Sequence, residues 1–285
     1  MDPQRNPPLS PLSGHVFIAA MKQFTTRLFG RLMLPAFLSF CLAGCVTNPE
    51  TGRKQLLIVP ESQMTELGMS SFNQMKQQQP ISHDPAANAM VRRVGERIRS
   101  VVNLPNAQWE FVVFESKEAN AFCLPGGKIG VYTGILPLVK DDAGLAAVLG
   151  HEVAHATLQH GRERMSEGLA SQIIGKGLGT YVDAKDPRWT AAFGELYGFG
   201  SQTTVLLPHS RTQEAEADHR GLIYMARAGY DPEAAVAFWE RFKAYGDQAG
   251  GTPPKFLSTH PPSAERIQNL KQWMPEAKAA MQPQK

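Results

Sequence analysis

The segment Val148-Leu-Gly-His-Glu-Val-Ala-His-Ala156 restricts this chain most, because it holds the pattern H-E-x-x-H at His151, Glu152 and His155. Residues four apart lie on the same face of a helix, so a helix here aims both imidazoles at one point. Two neutral imidazoles supply two of the three protein ligands of a catalytic zinc site. Glu152 follows the first histidine, where its carboxylate can act as a general base without binding the metal. The pattern therefore predicts a zinc site built on a helix.

The alternative is a surface helix that carries these polar residues by chance. The flanking sequence argues against it, since Leu145, Val148 and Leu149 are apolar and recur at helical spacing. Asp141 and Asp142 supply an N-cap and negative charge where a helix start favours both. A polar triplet inside an apolar helix is typical of a buried metal site, and we expect one Zn²⁺ per chain.

The composition is that of a globular protein, with 42% hydrophobic and 19% charged residues among 285. This length suits one large domain or two small ones. The net charge of +3 is spread along the chain without a basic block. Nothing in the sequence therefore indicates binding to nucleic acid.

The N-terminus has the features of a secretory leader. Residues 1–20 are proline-rich, and Met21 is an alternative start. Basic residues follow, and then the apolar run Leu32–Leu42, which is shorter than the roughly 20 residues that span a membrane. The ending Leu42-Ala-Gly-Cys45 resembles the bacterial lipobox, whose cysteine becomes the lipidated first residue of the mature protein. The alternative is an ordinary signal peptide with an incidental cysteine.

Acylation of Cys45 predicts a membrane anchor, because more than one acyl chain gives stable attachment. Val46 follows in place of Asp, which by resemblance to lipoprotein sorting rules favours the outer membrane. We therefore expect a lipid-anchored protein of the bacterial cell envelope that faces the periplasm. Cys123 is left without a partner in that mature chain, and we expect a small buried residue rather than a nucleophile.

Candidate substrate-binding residues precede the metal motif. Trp109–Phe114 predicts a strand, and residues 120–133 predict two short strands joined by a turn at Pro125-Gly-Gly127. A strand beside a metal-binding helix can pair with an extended peptide, which gives recognition through the backbone. This interpretation assigns substrate binding to Asn120, Ala121 and Phe122. A purely structural hairpin is the alternative.

A second helix, predicted over residues 210–229, carries Glu214 and Asp218 one turn apart on the same face. One carboxylate there can be the third zinc ligand, and another can hold a ligating histidine through its free ring N–H. Glu216 points about 160° away from that face in an ideal helix, and His219 also lies off it. A solvated acidic helix face is the alternative.

Two further histidines carry weaker signals. His160 is off the metal face of the first helix, so we expect it at the surface. His260 precedes two prolines in an extended segment, and alone it indicates no function. Residues 165–181 hold several glycines, which fit either a closely packed helix or a mobile flap.

Together these motifs resemble the gluzincin zinc metallopeptidases of the CAAX-prenyl endopeptidase and HtpX type. The resemblance is strongest to a periplasmic lipoprotein branch that includes the β-barrel assembly-enhancing protease, although the helical repeats of that protease are not found. It covers roughly residues 60–273 and includes Asn120-Ala-Phe122, Pro125-Gly-Gly127, Ser210-Arg211 and Ser258–Arg266. Integral members have membrane-spanning helices, which we do not expect after residue 45.

The resemblance assigns roles to the candidate residues. It implies three zinc ligands: His151, His155 and Glu214. It makes Glu152 the catalytic carboxylate and Asp218 the residue that orients a ligating histidine. It also places His260 near the metal, where it can stabilise the oxyanion or cap the zinc in a resting state.

The expected fold is α+β, a zincin-like metalloprotease domain that is mostly helical with a small β-sheet beside the H-E-x-x-H helix. We expect a signal peptide over 1–45, a tether and helix over 46–80, a zinc metallopeptidase domain over 81–275 and a tail over 276–285.

The expected function is zinc-dependent cleavage of protein or peptide substrates. By resemblance these substrates are misfolded or misassembled envelope proteins, with possible partners in the assembly machinery of the outer membrane. The alternative is a non-catalytic or latent zinc-containing lipoprotein that serves as a binding or chaperone module.

Overall fold

The computed structural model describes residues 45–176, 187–197, 209–248 and 255–281. The strands are β1 (Cys45–Thr47), β2 (Lys54–Leu56), β3 (Glu110–Phe114), β4 (Ala121–Leu124) and β5 (Lys128–Tyr132). The helices are α1 (Glu61–Gln78), α2 (Pro85–Arg99), α3 (Leu136–Val139), α4 (Asp142–Thr157), α5 (His160–Lys176), α6 (Pro187–Tyr197), α7 (Arg211–Arg227), α8 (Glu233–Gln248), α9 (Lys255–Thr259) and α10 (Ala264–Ala280). The leader predicted before Cys45 and the end of the glycine-rich segment lie outside the described residues.

The small sheet has the strand order β3-β5-β4, with β3 parallel and β4 antiparallel to β5. The turn between β4 and β5 requires glycine, since Gly126 and Gly127 have φ angles of 86° and 78°. Within the described residues, β4 pairs on one side only and forms an edge of this sheet. The predicted hairpin is present, and its edge strand is the one that packs on α4.

Helix α4 is buried on every side from Gly144 to His155. A helix that is apolar all round belongs in a protein core, so this burial follows from its composition. Its start is set by Asp141, whose side chain accepts a hydrogen bond of 2.9 Å from the backbone N–H of Gly144. The H-E-x-x-H motif thus occupies the interior of the domain.

Helix α7 crosses α4 at two glycines. A Cβ on Gly150 would lie 2.7 Å from the carbonyl oxygen of Gly221, and a Cβ on Gly221 would lie 2.7 Å from the backbone nitrogen of His151. Only hydrogen fits at either position, so the backbones approach more closely than other residues allow. This contact brings the acidic face of α7 against the histidines of α4.

The N-terminal region differs from the expected tether. Cys45–Leu56 forms an antiparallel hairpin, β1–β2, in which Asn48 and Gln55 are buried. Gln55 Nε2 donates a hydrogen bond of 2.9 Å to the carbonyl of Leu158, just after α4. These strands are short and polar, so they lack the alternating pattern by which a strand is recognised in sequence.

Part of the tail expected over 276–285 is helical, since α10 continues to Ala280. Among the described residues, no helix has the length and apolar character needed to cross a membrane. The structure confirms the predicted α+β fold, mostly helical with small sheets.

We expect Gly221→Ala to destabilise the protein, because its methyl group meets the backbone of His151. Overpacking costs about 1–3 kcal/mol, and the higher helix propensity of alanine offsets about 1 kcal/mol or less. Gly168→Ala on α5 is the matched control, since its added Cβ would meet nothing within 4 Å. Urea denaturation should place Gly221→Ala below the unaltered chain and Gly168→Ala at or above it. Equal stability of the two variants would contradict the close packing of the helices.

Candidate metal centre and active site

Four side chains from three parts of the chain converge beside β4. His151 and His155 come from α4, Glu214 from α7 and His260 from the residue after α9. One ligand atom from each lies within 4.8 Å of the others, and all four residues are buried. The Nε2 atoms of the two α4 histidines are 3.0 Å apart, and His155 Nε2 is 3.3 Å from Glu214 Oε1. The structure brings together the three predicted ligands and adds His260 to them.

The donor set fits a catalytic zinc ion. Burial lowers the pKa of His151 and of His155 well below its ordinary value, so both rings are neutral and offer lone pairs. Burial opposes ionisation of Glu214, but His260 and Arg266 hold its pKa well below the usual range. Its Oε2 atom is buried and forms an ion pair of 2.9 Å with Nη1 of Arg266. Two neutral imidazoles and an ionised carboxylate, brought together in a buried position, are the ligand set of a catalytic zinc site.

Glu152 lies beside this cluster without joining it. Its Oε1 atom is buried, lies 3.4 Å from His260 Nε2 and has no hydrogen-bond partner within the described part of the chain. Burial raises the pKa of Glu152 to about 7. A carboxylate with a pKa near neutrality can both take up and release a proton, as general acid–base catalysis requires.

The cleft in front of Glu152 is lined on one side by β4 and the residue before it. Asn120, Ala121 and Phe122 all border it, together with Leu196 and Tyr197 of α6. The Phe122 ring points into an aromatic cluster, with its centroid 6.3 Å from those of Phe72, Phe114 and Tyr132. The ring of Phe122 therefore packs in the core, and the substrate-binding role of Asn120, Ala121 and Phe122 stays a prediction.

Asp218 and Arg266 hold the other side of the cluster. Asp218 Oδ1 is 2.9 Å from His151 Nδ1, which leaves Nε2 facing the ligand cluster. Arg266 Nη2 is 3.1 Å from the same Nδ1. A ring that binds metal through Nε2 carries its proton on Nδ1, so the partner of Nδ1 is the carboxylate and not the guanidinium. Asp218 thus lies against the nitrogen of His151 that faces away from the cluster, and its role in orienting a ligand stays a prediction.

Arg266 was missed as a functional residue. It lies 2.9 Å from Glu214 Oε2, 2.6 Å from Asp218 Oδ1 and 3.3 Å from the ring centroid of Trp239. Its charge offsets two buried carboxylates, and stacking on Trp239 fixes its plane. The conspicuous motif Ser258–Arg266 contains it, but no spacing rule connects α10 with α4.

The prediction that His160 lies at the surface is wrong. Helix α4 ends at Thr157 and Gln159 has a φ angle of 59°, so His160 begins α5 and does not continue the face of α4. It is fully buried, and its Nδ1 is 2.9 Å from Nδ1 of the ligand candidate His155. Its Nε2 is 3.0 Å from Glu216 Oε2.

Glu216 is outside the ligand cluster, as its position on α7 predicted. Its carboxylate contacts His160 and Arg53 instead. Burial raises its pKa, whereas hydrogen bonds from His160 and Arg53 outweigh that effect and lower it to about 2. His219 lies on the exposed side and pairs with Glu276 at 2.8 Å. Neither residue belongs to the ligand cluster.

His209 is a second residue that sequence reasoning missed. Its ring centroid lies 4.0 Å from that of His155 and 5.2 Å from that of His260. Cys123 is buried, and burial raises the pKa of its thiol, which favours the inert role predicted for it. Cys45 is exposed in β1, and its acylation stays a prediction.

A sequence model described as "Peptidase family M48" matches residues 85–274 of this chain. The chain belongs to peptidase family M48. It is 41% identical over 187 residues to "Mitochondrial metalloendopeptidase OMA1" of Schizosaccharomyces pombe, which is 66% of this chain and 53% of that protein. It is 31% identical over 258 residues to "Metalloendopeptidase OMA1, mitochondrial" of Homo sapiens, or 85% of this chain and 48% of that one.

The "Beta-barrel assembly-enhancing protease" of Escherichia coli is 26% identical over 230 residues, covering 78% of this M48 chain and 46% of that protease. The chain thus spans about half the length of the curated relatives it matches. Family membership confirms the prediction of a zinc metallopeptidase family. The assignment to the CAAX-prenyl endopeptidase type and to a lipoprotein branch stays a prediction.

The expected location at the bacterial outer membrane is wrong. It depended on the lipobox-like ending at Cys45, on Val46 and on a resemblance to the assembly-enhancing protease, which is more distant at 26% identity than the OMA1 proteins at 31–41%. Those relatives are mitochondrial enzymes by name. The lipobox-like ending covers only a few residues, whereas the similarity to the OMA1 proteins extends over 187 to 258 residues.

We expect Asp218→Asn to weaken zinc binding, because the neutral amide holds the Nδ1 proton of His151 less firmly than a carboxylate. Loss of such a partner typically lowers metal affinity about 10- to 100-fold. Competition with a chromogenic chelator measures the change. Asp247→Asn, an exposed change on α8, is the control and should bind zinc as the unaltered chain does. Equal affinity in both variants would show that Asp218 does not support the ligand.

Proposed function

We propose that this M48 chain is a zinc-dependent endopeptidase with one Zn²⁺ held by His151, His155 and Glu214. The observation that carries the proposal is the convergence of these three buried donors with Glu152 beside an open strand edge. Zinc bound there supplies a Lewis acid that polarises a peptide carbonyl and makes water more acidic. The names of the relatives, which are metalloendopeptidases, support the same activity.

Glu152 is the general base in this proposal. Its buried carboxylate takes a proton from the water that attacks the peptide carbonyl and delivers it to the departing amine. Its position next to His151 on α4 keeps it in the cleft while the neighbouring histidine serves the metal. Arg266 keeps Glu214 ionised as a ligand, since its guanidinium lies 2.9 Å from Oε2 of that carboxylate.

The edge strand β4 favours substrates that can adopt an extended backbone conformation. An extended peptide can add to its open side through backbone hydrogen bonds, which places a peptide bond in front of Glu152. Such binding tolerates many sequences but requires an extended segment, so unfolded or misassembled proteins are the proposed substrates. The relative named for enhancing β-barrel assembly supports substrates of this kind. Because the predicted outer-membrane location is wrong, we do not propose outer-membrane proteins as substrates.

A latent enzyme or zinc-dependent binding module is the second candidate, and the position of His260 favours it. His260 Nδ1 lies 2.9 Å from Glu214 Oε1 and 3.2 Å from His151 Nε2, within the ligand cluster itself. A zinc ion with four protein ligands has no open position for catalysis. The same histidine, turned toward the cleft, can instead donate a hydrogen bond to the oxyanion.

Glu152→Gln should abolish most turnover while zinc stays bound, because the amide keeps the shape of the side chain but cannot accept the proton. General bases contribute about 10²- to 10⁴-fold to rate, and we expect a loss of at least that order in casein cleavage. The exposed change Glu276→Gln is the matched control and should cleave normally. Full activity in Glu152→Gln, with zinc content unchanged, would exclude the proposed mechanism.

His260→Ala separates the two candidate functions. If His260 stabilises the oxyanion, casein cleavage should fall by about 10²- to 10³-fold, as for loss of one such donor. If His260 caps the metal in a latent enzyme, the same variant should cleave faster than the unaltered chain. Zinc content measured on both proteins shows whether either change reflects loss of metal.

A further inference from the structure

Three side chains, those of His160, Glu216 and Arg53, connect the metal-ligand candidate His155 with the N-terminal hairpin. His155 Nδ1 meets His160 Nδ1 at 2.9 Å, and His160 Nε2 meets Glu216 Oε2 at 3.0 Å. The other oxygen of Glu216 accepts a hydrogen bond of 2.8 Å from Nε of Arg53, in the turn before β2. The contacts form an unbroken path from residue 53 to the metal centre.

The protons on this path can be arranged in only one consistent way. Nε2 of His155 faces the cluster, so metal binding there leaves the proton on Nδ1, which then donates to His160 Nδ1. His160 must therefore carry its own proton on Nε2, from which it donates to Glu216 Oε2. Arg53 donates to the remaining oxygen, so every contact pairs one donor with one acceptor.

Arg53 is itself held in place from a second side. Its two terminal nitrogens lie 2.5 and 2.7 Å from the carboxylate oxygens of Glu163, a two-point contact that fixes the guanidinium plane. Glu163 also accepts hydrogen bonds from Gln55 and Gln213, at 3.1 and 2.9 Å. The hairpin thus presents an oriented cation to Glu216.

The two α4 histidines are supported differently. His151 contacts the carboxylate of Asp218 directly at 2.9 Å. His155 is connected to the carboxylate of Glu216 only through the ring of His160. Glu216 keeps 14% of its side chain exposed, so water competes for its oxygens unless Arg53 holds them. The support of His155 therefore depends on a residue far away in the sequence.

We propose that Arg53 is a positioning residue for the zinc ligand His155, acting through Glu216 and His160. The inference rests on the proposed function, because it takes His155 as a ligand of a bound zinc ion. In physical terms, docking of the N-terminal hairpin orients one ligand ring and sets how tightly the metal is held. The hairpin is then part of the support of the metal centre and does not act only as a tether.

The test measures zinc affinity of full-length variants by competition with a chromogenic chelator. His160→Phe keeps a ring of similar size but removes both nitrogens, and we expect affinity to fall about 10- to 100-fold. Arg53→Gln acts two contacts further away, so a smaller fall of several-fold is expected. Arg53→Lys retains the charge with one contact, and its affinity should lie between those of Arg53→Gln and the unaltered chain.

Arg220→Gln is the matched control. Arg220 Nε forms an ion pair of 2.8 Å with Glu50 Oε2, which joins the same helix to the same hairpin turn without reaching a ligand. Its zinc affinity should equal that of the unaltered chain even if its stability falls. Absorption spectra of the Co²⁺-substituted proteins report the geometry of the ligands, and they should change for His160→Phe and Arg53→Gln but not for Arg220→Gln.

The outcomes separate the inference from the function on which it rests. Normal zinc affinity and Co²⁺ spectra in Arg53→Gln, with lower stability of the metal-free protein, would make the path structural only and overturn the inference. Equal losses of affinity in Arg53→Gln and Arg220→Gln would overturn it too, since general loosening of the hairpin would explain both. Failure of the unaltered chain to bind zinc would instead overturn the proposed function, and the inference with it.

Discussion

The close contact between α4 and α7 is the constraint on which the rest of the structure depends. Gly150 and Gly221 let the two backbones approach within a distance that a single Cβ would block. Because the crossing is this tight, Glu214 and Asp218 reach across to both histidines of α4. The site is thus positioned by packing of regular helices, which hold side chains more precisely than loops do.

Burying so many ionisable groups is costly unless their charges are matched. Arg266 faces both Glu214 and Asp218, and its guanidinium lies over Trp239. Arg53 likewise offsets the charges of Glu163 and Glu216, and Glu216 supports His155 through His160. Each α4 histidine is therefore backed by a carboxylate whose charge an arginine compensates, directly for His151 and through His160 for His155. Oε1 of Glu152 has no hydrogen-bond partner among the described residues, so it is available to accept a proton.

Much of the site could be predicted because it depends on local geometry. The four-residue spacing of His151 and His155, and of Glu214 and Asp218, follows from helical periodicity alone. Asp141 also marks the start of α4 by the hydrogen bonding available to a residue at that position. The location was predicted wrongly because it depended on a few residues around Cys45, and similarity over the catalytic region points elsewhere.

The sequence by itself determined the helices, the metal-ligand pattern and the hairpin at Gly126 and Gly127, since each depends on residues close together in the chain. Only the tertiary structure decided that His160 is buried, that Arg266 compensates the acidic ligands and that Arg53 reaches Glu216. These contacts join residues separated by long stretches of chain, and their formation depends on how helices pack after they form. Periodicity gives the face on which a side chain lies, whereas packing decides what that face meets.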